Sequence, residues 1–194
     1  MRIVYCLIIL CVCFFSCEEA VVPKPKGYLR LQYPEAIYVK TEIDTMPFSF
    51  EANRLSNKIT TKKLVSATES YGVNIEYSTL KGTIYLTYKS IDNSRENLIA
   101  FLRDAQNFTQ KHTAKADEIK EKEYMNTFNK VYGMFYEVGG NAASQSQFYI
   151  TDSVNHFLTG SLYFYVKPNY DSILPAAKYL EKDIKHIMES VKWN

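Results

Sequence analysis

The segment Asp152-Ser153-Val154-Asn155-His156 carries the three residue types of a hydrolase triad. In such a site the serine oxygen lies beside one imidazole nitrogen and the carboxylate beside the other. Residues this close along the chain rarely reach that geometry, whereas Asp, Ser and Asn readily form turns. We therefore interpret the segment as a turn between two strands. A hydrolase of the cell envelope that uses Asp152, Ser153 and His156 is the alternative.

Cys17 offers a different chemistry, because it follows an uncharged run from Ile3 to Phe15 that is preceded by Arg2. A short apolar run after a basic start is the layout of a secretory signal, and a membrane-spanning helix needs roughly 20 apolar residues. A short transmembrane anchor is the alternative, but Glu18 and Glu19 argue against it because charge at that depth is costly.

The four cysteines all lie within the first 17 residues, at Cys6, Cys11, Cys13 and Cys17. Cleavage before Cys17 would leave one cysteine, so a disulfide within the mature chain is excluded. We predict that residues 1–16 are a lipoprotein signal peptide and that Cys17 is lipidated, its thiol carrying a diacylglycerol and its new amine an acyl chain such as palmitate. Each buried methylene of such chains contributes ~0.8 kcal/mol to anchoring.

Residues 17–27 form the predicted tether, because Pro23 and Pro25 alternate with lysines and favour an extended conformation. The remaining residues 28–194 are long enough for one globular domain with a hydrophobic core. The net charge of +2 gives no reason to expect nucleic acid as a partner.

Metal and phosphate motifs are missing from the sequence, which contains no His-Glu-x-x-His, calcium loop or glycine-rich phosphate loop. His112 and His186 are interpreted as surface residues. We therefore expect no metal site, no cofactor, no catalytic residue and no enzymatic activity.

The stretch from Gly139 to Gln147 reads GGNAASQSQ, which is small, polar and uncharged. Such stretches are typical of loops that contact a partner or ligand. The candidate interaction loop is made of Gly139, Gly140, Asn141, Ser144, Gln145 and Gln147.

The elements that would position these residues follow from periodicity. Alternating apolar residues predict strands at 28–33, 47–51, 73–77, 83–91, 131–138, 147–151 and 156–167, with a bend or bulge at Gly160. Apolar residues at helical spacing predict helices after Ser94 and after Asp171-Ser172. Residues 53–70 are expected to form a loop with a short helix. Residues 114–122 are expected to form a solvated helical turn or loop, with an interaction site made by the run of charges as the alternative. The fold class is α+β: a mainly antiparallel sheet of about six or seven strands with helices packed on it.

The run from Tyr136 to Ala176 contains YEVGGNAAS, QFYITDS, NHFL and LYFYVKPNYDSILPA, and earlier segments read PKPKGYLRLQYP and PFSFE. These motifs closely resemble the gliding-motility lipoprotein GldD family of Bacteroidota over nearly the whole mature chain. The arrangement of elements also resembles the PsbP/Mog1 α/β/α sandwich, which is a fold analogy only.

This resemblance implies a lipid-anchored protein of the cell envelope, facing the periplasm or exposed on the surface, that is required for gliding. In that lineage gliding is intertwined with type IX secretion. We expect a non-enzymatic assembly component that binds other envelope proteins of this machinery. Besides the hydrolase, the alternative is a lipoprotein that binds glycan or peptidoglycan by stacking sugars on exposed tyrosines.

Overall fold

A computed structural model describes Gly27 and residues 31–111, 115–166 and 170–194. The predicted signal peptide, Cys17 and most of the tether lie outside these residues, so the division at residues 16 and 27 stays a prediction. None of the helices in the described ranges is both long and apolar enough to cross a membrane.

The described residues form ten strands, two α-helices and one short 3₁₀ turn. In chain order they are β1 (Tyr38–Thr41), β2 (Phe48–Asn53), β3 (Lys58–Lys63), β4 (Ser70–Tyr77), the 3₁₀ turn (Ser78–Leu80), β5 (Gly82–Ser90), α1 (Arg95–Gln110), β6 (Ala116–Asn126), β7 (Val131–Gly140), β8 (Ser144–Thr151), β9 (His156–Phe164), α2 (Tyr170–Ser190) and β10 (Lys192–Trp193).

Seven strands form the main sheet in the order β3-β4-β5-β9-β8-β7-β6, and every neighbouring pair is antiparallel. A smaller sheet has the order β1-β2-β10. This arrangement confirms the predicted α+β class, the mainly antiparallel sheet and the two helices.

The two faces of the main sheet are covered by different elements, because successive side chains of a strand point to opposite faces. Leu158 and Leu162 of β9 lie in the main core with Leu180 and Ile184 of α2. Phe157 of β9 points the other way and contacts the ring of Phe101 in α1. The main sheet therefore lies between α1 on one side and α2 with the small sheet on the other.

Both helices begin near their predicted caps. The Ser94 hydroxyl accepts a hydrogen bond from the Asn97 backbone N–H at 3.2 Å, which caps α1. The apolar stripe of α2 is buried as its spacing predicts. Pro175 is the sixth residue of α2 and therefore lies inside the helix, beyond the first turn, where its missing N–H leaves a gap in the helical hydrogen-bond pattern.

The predictions for two segments were wrong: residues 58–63 form β3, and residues 116–126 form β6. These are the two edge strands of the main sheet, and most of their side chains are exposed. An edge strand that buries few side chains keeps little apolar alternation, so the sequence carries a weak strand signal there.

Two smaller predictions also need correction. Residues 31–33 of the predicted first strand have no regular structure, and residues 28–30 lie outside the described part. Gly160 causes no bulge, because it pairs in register with Leu86 and with Phe148. Its role is steric: a Cβ there would lie 2.1 Å from Cε1 of Phe148, whose ring fills that space.

Candidate functional site

The segment from Asp152 to His156 is the predicted turn, which joins β8 to β9. Oδ1 of Asp152 accepts hydrogen bonds from the backbone N–H groups of Val154, Asn155 and His156, at 3.0, 2.8 and 2.8 Å. Ser153 has a φ of 70° and donates its backbone N–H to Oγ1 of Thr151 at 2.8 Å. The carboxylate of Asp152 thus holds the backbone of the turn.

The imidazole of His156 has its own partners. Nδ1 lies 2.9 Å from the hydroxyl of Tyr88, and the ring stacks on Trp193 with centroids 5.0 Å apart. Burial lowers its pKa, and the charge of Asp152 opposes that shift. Among the described residues, neither the Ser153 hydroxyl nor the Asp152 carboxylate hydrogen-bonds this ring. The three side chains of the alternative site share a turn without the contacts of a triad.

The loop predicted from Gly139 to Gln147 is shorter in the structure, because β7 runs to Gly140 and β8 begins at Ser144. Gly140 has a φ of +86°, and a Cβ there would lie 2.7 Å from the backbone nitrogen of Asp117. Oδ1 of Asn141 accepts the backbone N–H of Tyr170 at 2.9 Å and so holds the first residue of α2. This part of the candidate loop fixes the joint between β7 and α2.

Three of the predicted contact residues, Ser144, Gln145 and Gln147, are buried side chains of β8. Gln145 donates to the carbonyl of Ala142 at 2.6 Å. A polar, uncharged sequence thus forms an inner strand that pairs with β7 and β9. The predicted contact role now depends on Asn141, which is exposed, and on Gly139, which is partly exposed.

A groove that the sequence did not reveal lies between α1 and the outward face of β5, β9, β8 and β7. We call it the α1 groove, and its volume is about 350 Å³. Its aromatic side chains are Phe101, Phe108, Tyr136, Tyr149, Phe157 and Tyr163, and its hydroxyl and amide residues are Thr87, Thr109, Gln147, Thr159 and Ser161. Phe157, Thr159, Ser161 and Tyr163 alternate with the buried row of β9, and this alternation was the signal available in the sequence.

One wall of the α1 groove joins α1 to the sheet through Gln147. The hydroxyl of Thr109 donates to Oε1 of Gln147 at 2.9 Å. Nε2 of the same amide is buried and has no hydrogen-bond partner among the described residues. Lys89, at the edge of the groove, lies 3.7 Å from the carboxylate of Asp104 and 4.6 Å from the ring centroid of Phe101.

A second surface feature is the end of the β6–β7 hairpin. Phe128 is 94% exposed and Met125 is 71% exposed. Large apolar side chains with this exposure contribute nothing to the core, and exposed apolar patches are typical of contacts with other proteins.

Metal ligands are not clustered in the described ranges, where no group of three or more His, Cys, Asp or Glu side chains is placed to hold an ion.

Comparison with curated proteins and with solved structures gave no match. The likeness to the PsbP/Mog1 sandwich therefore stays a prediction. The family model described as gliding motility lipoprotein GldD matches residues 18–193. That range covers nearly the whole chain and includes both the turn at residues 152–156 and the α1 groove. A lipoprotein family implies membrane anchoring in the cell envelope, and its name implies a role in gliding motility. The chain belongs to the gliding motility lipoprotein GldD family.

Proposed function

We propose that this protein is a non-enzymatic assembly component of the gliding and type IX secretion machinery of a Bacteroidota cell, held at the membrane by a lipid on Cys17. The observation that carries the proposal is the family match over residues 18–193, which begins one residue after that cysteine. A tethered domain can search the surface of its membrane for a partner at high effective concentration.

The hairpin end offers the contact surface with the clearest physical basis. Phe128 and Met125 expose large apolar side chains at the end of strands of 11 and 10 residues. Burying an aromatic side chain of this size in a partner contributes ~1.5–3 kcal/mol. The hairpin end would therefore dominate a small contact with another envelope protein.

The geometry of the turn at residues 152–156 supports the non-enzymatic hypothesis over the alternative, a hydrolase that uses the side chains of this turn. The carboxylate of Asp152 accepts hydrogen bonds from three backbone N–H groups, and the ring of His156 is hydrogen-bonded to Tyr88. A hydrolase would need Ser153 and His156 to meet during turnover. Cells carrying Ser153→Ala in place of the native protein should therefore glide normally.

The experiment is chemical crosslinking in native envelopes, followed by mass spectrometry and a gliding assay. Phe128→Ser should reduce both the crosslinked motility or secretion components and the spreading of colonies, without lowering the melting temperature. The matched control is Val65→Ser, since Val65 is fully exposed at a different place. Recovery of the bare protein alone, or loss of gliding in the Ser153→Ala strain, would contradict the proposal.

A further inference from the structure

The residues that line the α1 groove have an unusual composition for an apolar site. Its walls combine aromatic rings with hydroxyl groups, and none of its lining residues among the described ones is Leu, Ile, Val or Met. An acyl chain is bound best by flexible aliphatic walls. Flat aromatic faces carry partial negative charge and attract the C–H groups on the face of a sugar ring, while the hydroxyl groups of Thr87, Thr159 and Ser161 match those at the ring edge.

The amide of Gln147 indicates one specific group on the ligand. Gln147 is 2% exposed, and its Oε1 already accepts from Thr109. Its Nε2 is buried without a partner, and a buried donor left unpaired is costly. Because Nε2 is not exposed to solvent, the Gln147 side chain must turn toward the groove for a ligand to reach it. A carbonyl oxygen in the groove would then satisfy this donor, and the acetamido group of an N-acetylhexosamine carries such an oxygen.

The charges at the edge of the groove favour a neutral ligand. Lys89 and Asp104 pair with each other at 3.7 Å, so neither presents an uncompensated charge to the groove. Lys89 also lies over the ring of Phe101. This arrangement favours neither an anion nor a cation at the edge of the groove.

The volume sets the size of what binds. About 350 Å³ lies near the lower end of the range of small-molecule pockets, roughly 300–1,000 Å³. One sugar ring with an acetamido substituent fits that space, whereas a longer glycan would extend out of the open side.

We propose that the α1 groove binds an N-acetylhexosamine unit of a glycan, with the ring on the aromatic walls and the acetamido oxygen on Nε2 of Gln147. This site is separate from the proposed contact at Phe128, so either proposal can fail without the other. The same sugar chemistry occurs in soluble N-acetylglucosamine oligomers and in the glycan strands of peptidoglycan.

Calorimetric titration of the full chain tests the site, in a detergent without a sugar headgroup. The trimer of N-acetylglucosamine should bind one-to-one, and the glucose trimer should bind at least about tenfold more weakly because it lacks the carbonyl acceptor. Absence of binding by the N-acetylated trimer would overturn the site. Equal binding of both trimers would overturn the assigned role of Gln147.

Variants locate the binding within the groove. Ala105→Phe places a ring in the groove from α1 and should abolish binding, whereas Gln106→Phe, at an exposed neighbouring position, should leave the affinity unchanged. Gln147→Met should weaken binding about tenfold. Thr159→Val keeps the side-chain volume and gives a second test if Gln147→Met does not fold. Unchanged affinity in Ala105→Phe would place the sugar elsewhere and refute the proposal.

Cosedimentation with purified peptidoglycan sacculi distinguishes peptidoglycan from other glycans that contain N-acetylhexosamine. Binding that the free trimer displaces assigns the site to peptidoglycan. Binding of the trimer alone assigns it to another N-acetylhexosamine glycan. Either result requires the same groove and should be lost in Ala105→Phe.

Discussion

Nδ2 of Asn53 lies 2.9 Å from Oδ2 of Asp183, in a contact that joins β2 to α2 inside the protein. The hydroxyl of Tyr38 donates to the other carboxylate oxygen at 2.8 Å. Asp183 is fully buried, so this carboxyl sits where a charge is poorly solvated. Burial and the nearby charge of Asp183 raise the pKa of Tyr77. The hydroxyl of Tyr77 is buried and has no hydrogen-bond partner among the described residues.

Stability should depend on pH through Asp183. Burial raises the pKa of this carboxyl above its ordinary value of about 3.9, although the hydrogen bonds from Asn53 and Tyr38 oppose the shift. The folded state therefore binds the proton more tightly than the unfolded state does. The resulting contribution to stability is complete below the ordinary pKa and is lost as pH rises through the raised value.

Replacing Asp183 by Asn should remove that pH dependence while keeping a hydrogen-bonding side chain. Denaturant unfolding at a series of pH values above 4 should show a smaller loss of stability with rising pH in Asp183→Asn than in the native chain. Asp183→Ala should cost about 2–4 kcal/mol, because one N–H of the buried Asn53 amide and the partly buried hydroxyl of Tyr38 lose their acceptor. Parallel pH profiles for the native chain and Asp183→Asn would contradict this role.

Gly160→Ala should destabilise the fold by about 1–3 kcal/mol, because the new Cβ would overlap the ring of Phe148. Phe148→Leu shortens that ring side chain and should recover part of the loss when combined with Gly160→Ala. A double-mutant cycle in denaturant measures the coupling. Strictly additive effects would show that the ring does not occupy this space.

A second glycine provides the matched comparison. A Cβ at Gly133 would lie 1.9 Å from the backbone carbonyl oxygen of Tyr149 on the neighbouring strand. Backbone in the interior of a sheet cannot move aside as a side chain can. Gly133→Ala should therefore cost ~3 kcal/mol or more, and Phe148→Leu should not rescue it.

Cys17→Ser should release the protein from the membrane fraction and abolish gliding, because the lipid is the predicted anchor. Cys13→Ser, four residues earlier in the predicted signal, should leave both properties unchanged. Membrane fractionation and mass spectrometry of the amino-terminal peptide provide the measurement. An unmodified thiol at Cys17 would remove the basis for the membrane tether.

Asp152→Ala should lower stability by about 1–2 kcal/mol, because one carboxylate oxygen accepts three backbone N–H groups of the turn. Ser153→Gly should leave stability unchanged or slightly raised, since glycine adopts a positive φ without penalty. Equilibrium unfolding of both variants checks this contrast. Equal losses would mean that the turn is not held by the carboxylate.

The inner strands and both helices could be predicted because burial leaves a pattern in the sequence. Ile84, Leu86 and Tyr88 of β5 alternate with the half-buried Tyr85, Thr87 and Lys89, and the stripe of α2 repeats at helical spacing. The edge strands β3 and β6 could not be predicted in this way, because their side chains are mostly solvated and only one side of each is paired. Their charged residues also protect the open edges of the sheet.

The candidate site was predicted less completely. Turn-forming residues between two strands were enough to predict the turn at Asp152 to Asn155. The residues of β8 from Ser144 to Gln147 have a loop-like composition, yet they lie between two strands and under α1. Gln147 is paired with Tyr136 of β7 and with Ser161 of β9, so its backbone is placed between two strands by the register of the sheet.

The sequence by itself determined the family, the fold class and the predicted lipid anchor, because these depend on motifs and periodicities that are local along the chain. Only the tertiary structure decided which distant residues meet: Asn53 with Asp183, Thr109 with Gln147, and Asn141 with Tyr170. The physical reason is that these contacts depend on strand register and on the packing of helices against the sheet. The α1 groove exists only because α1 covers part of a sheet face whose side chains come from four strands.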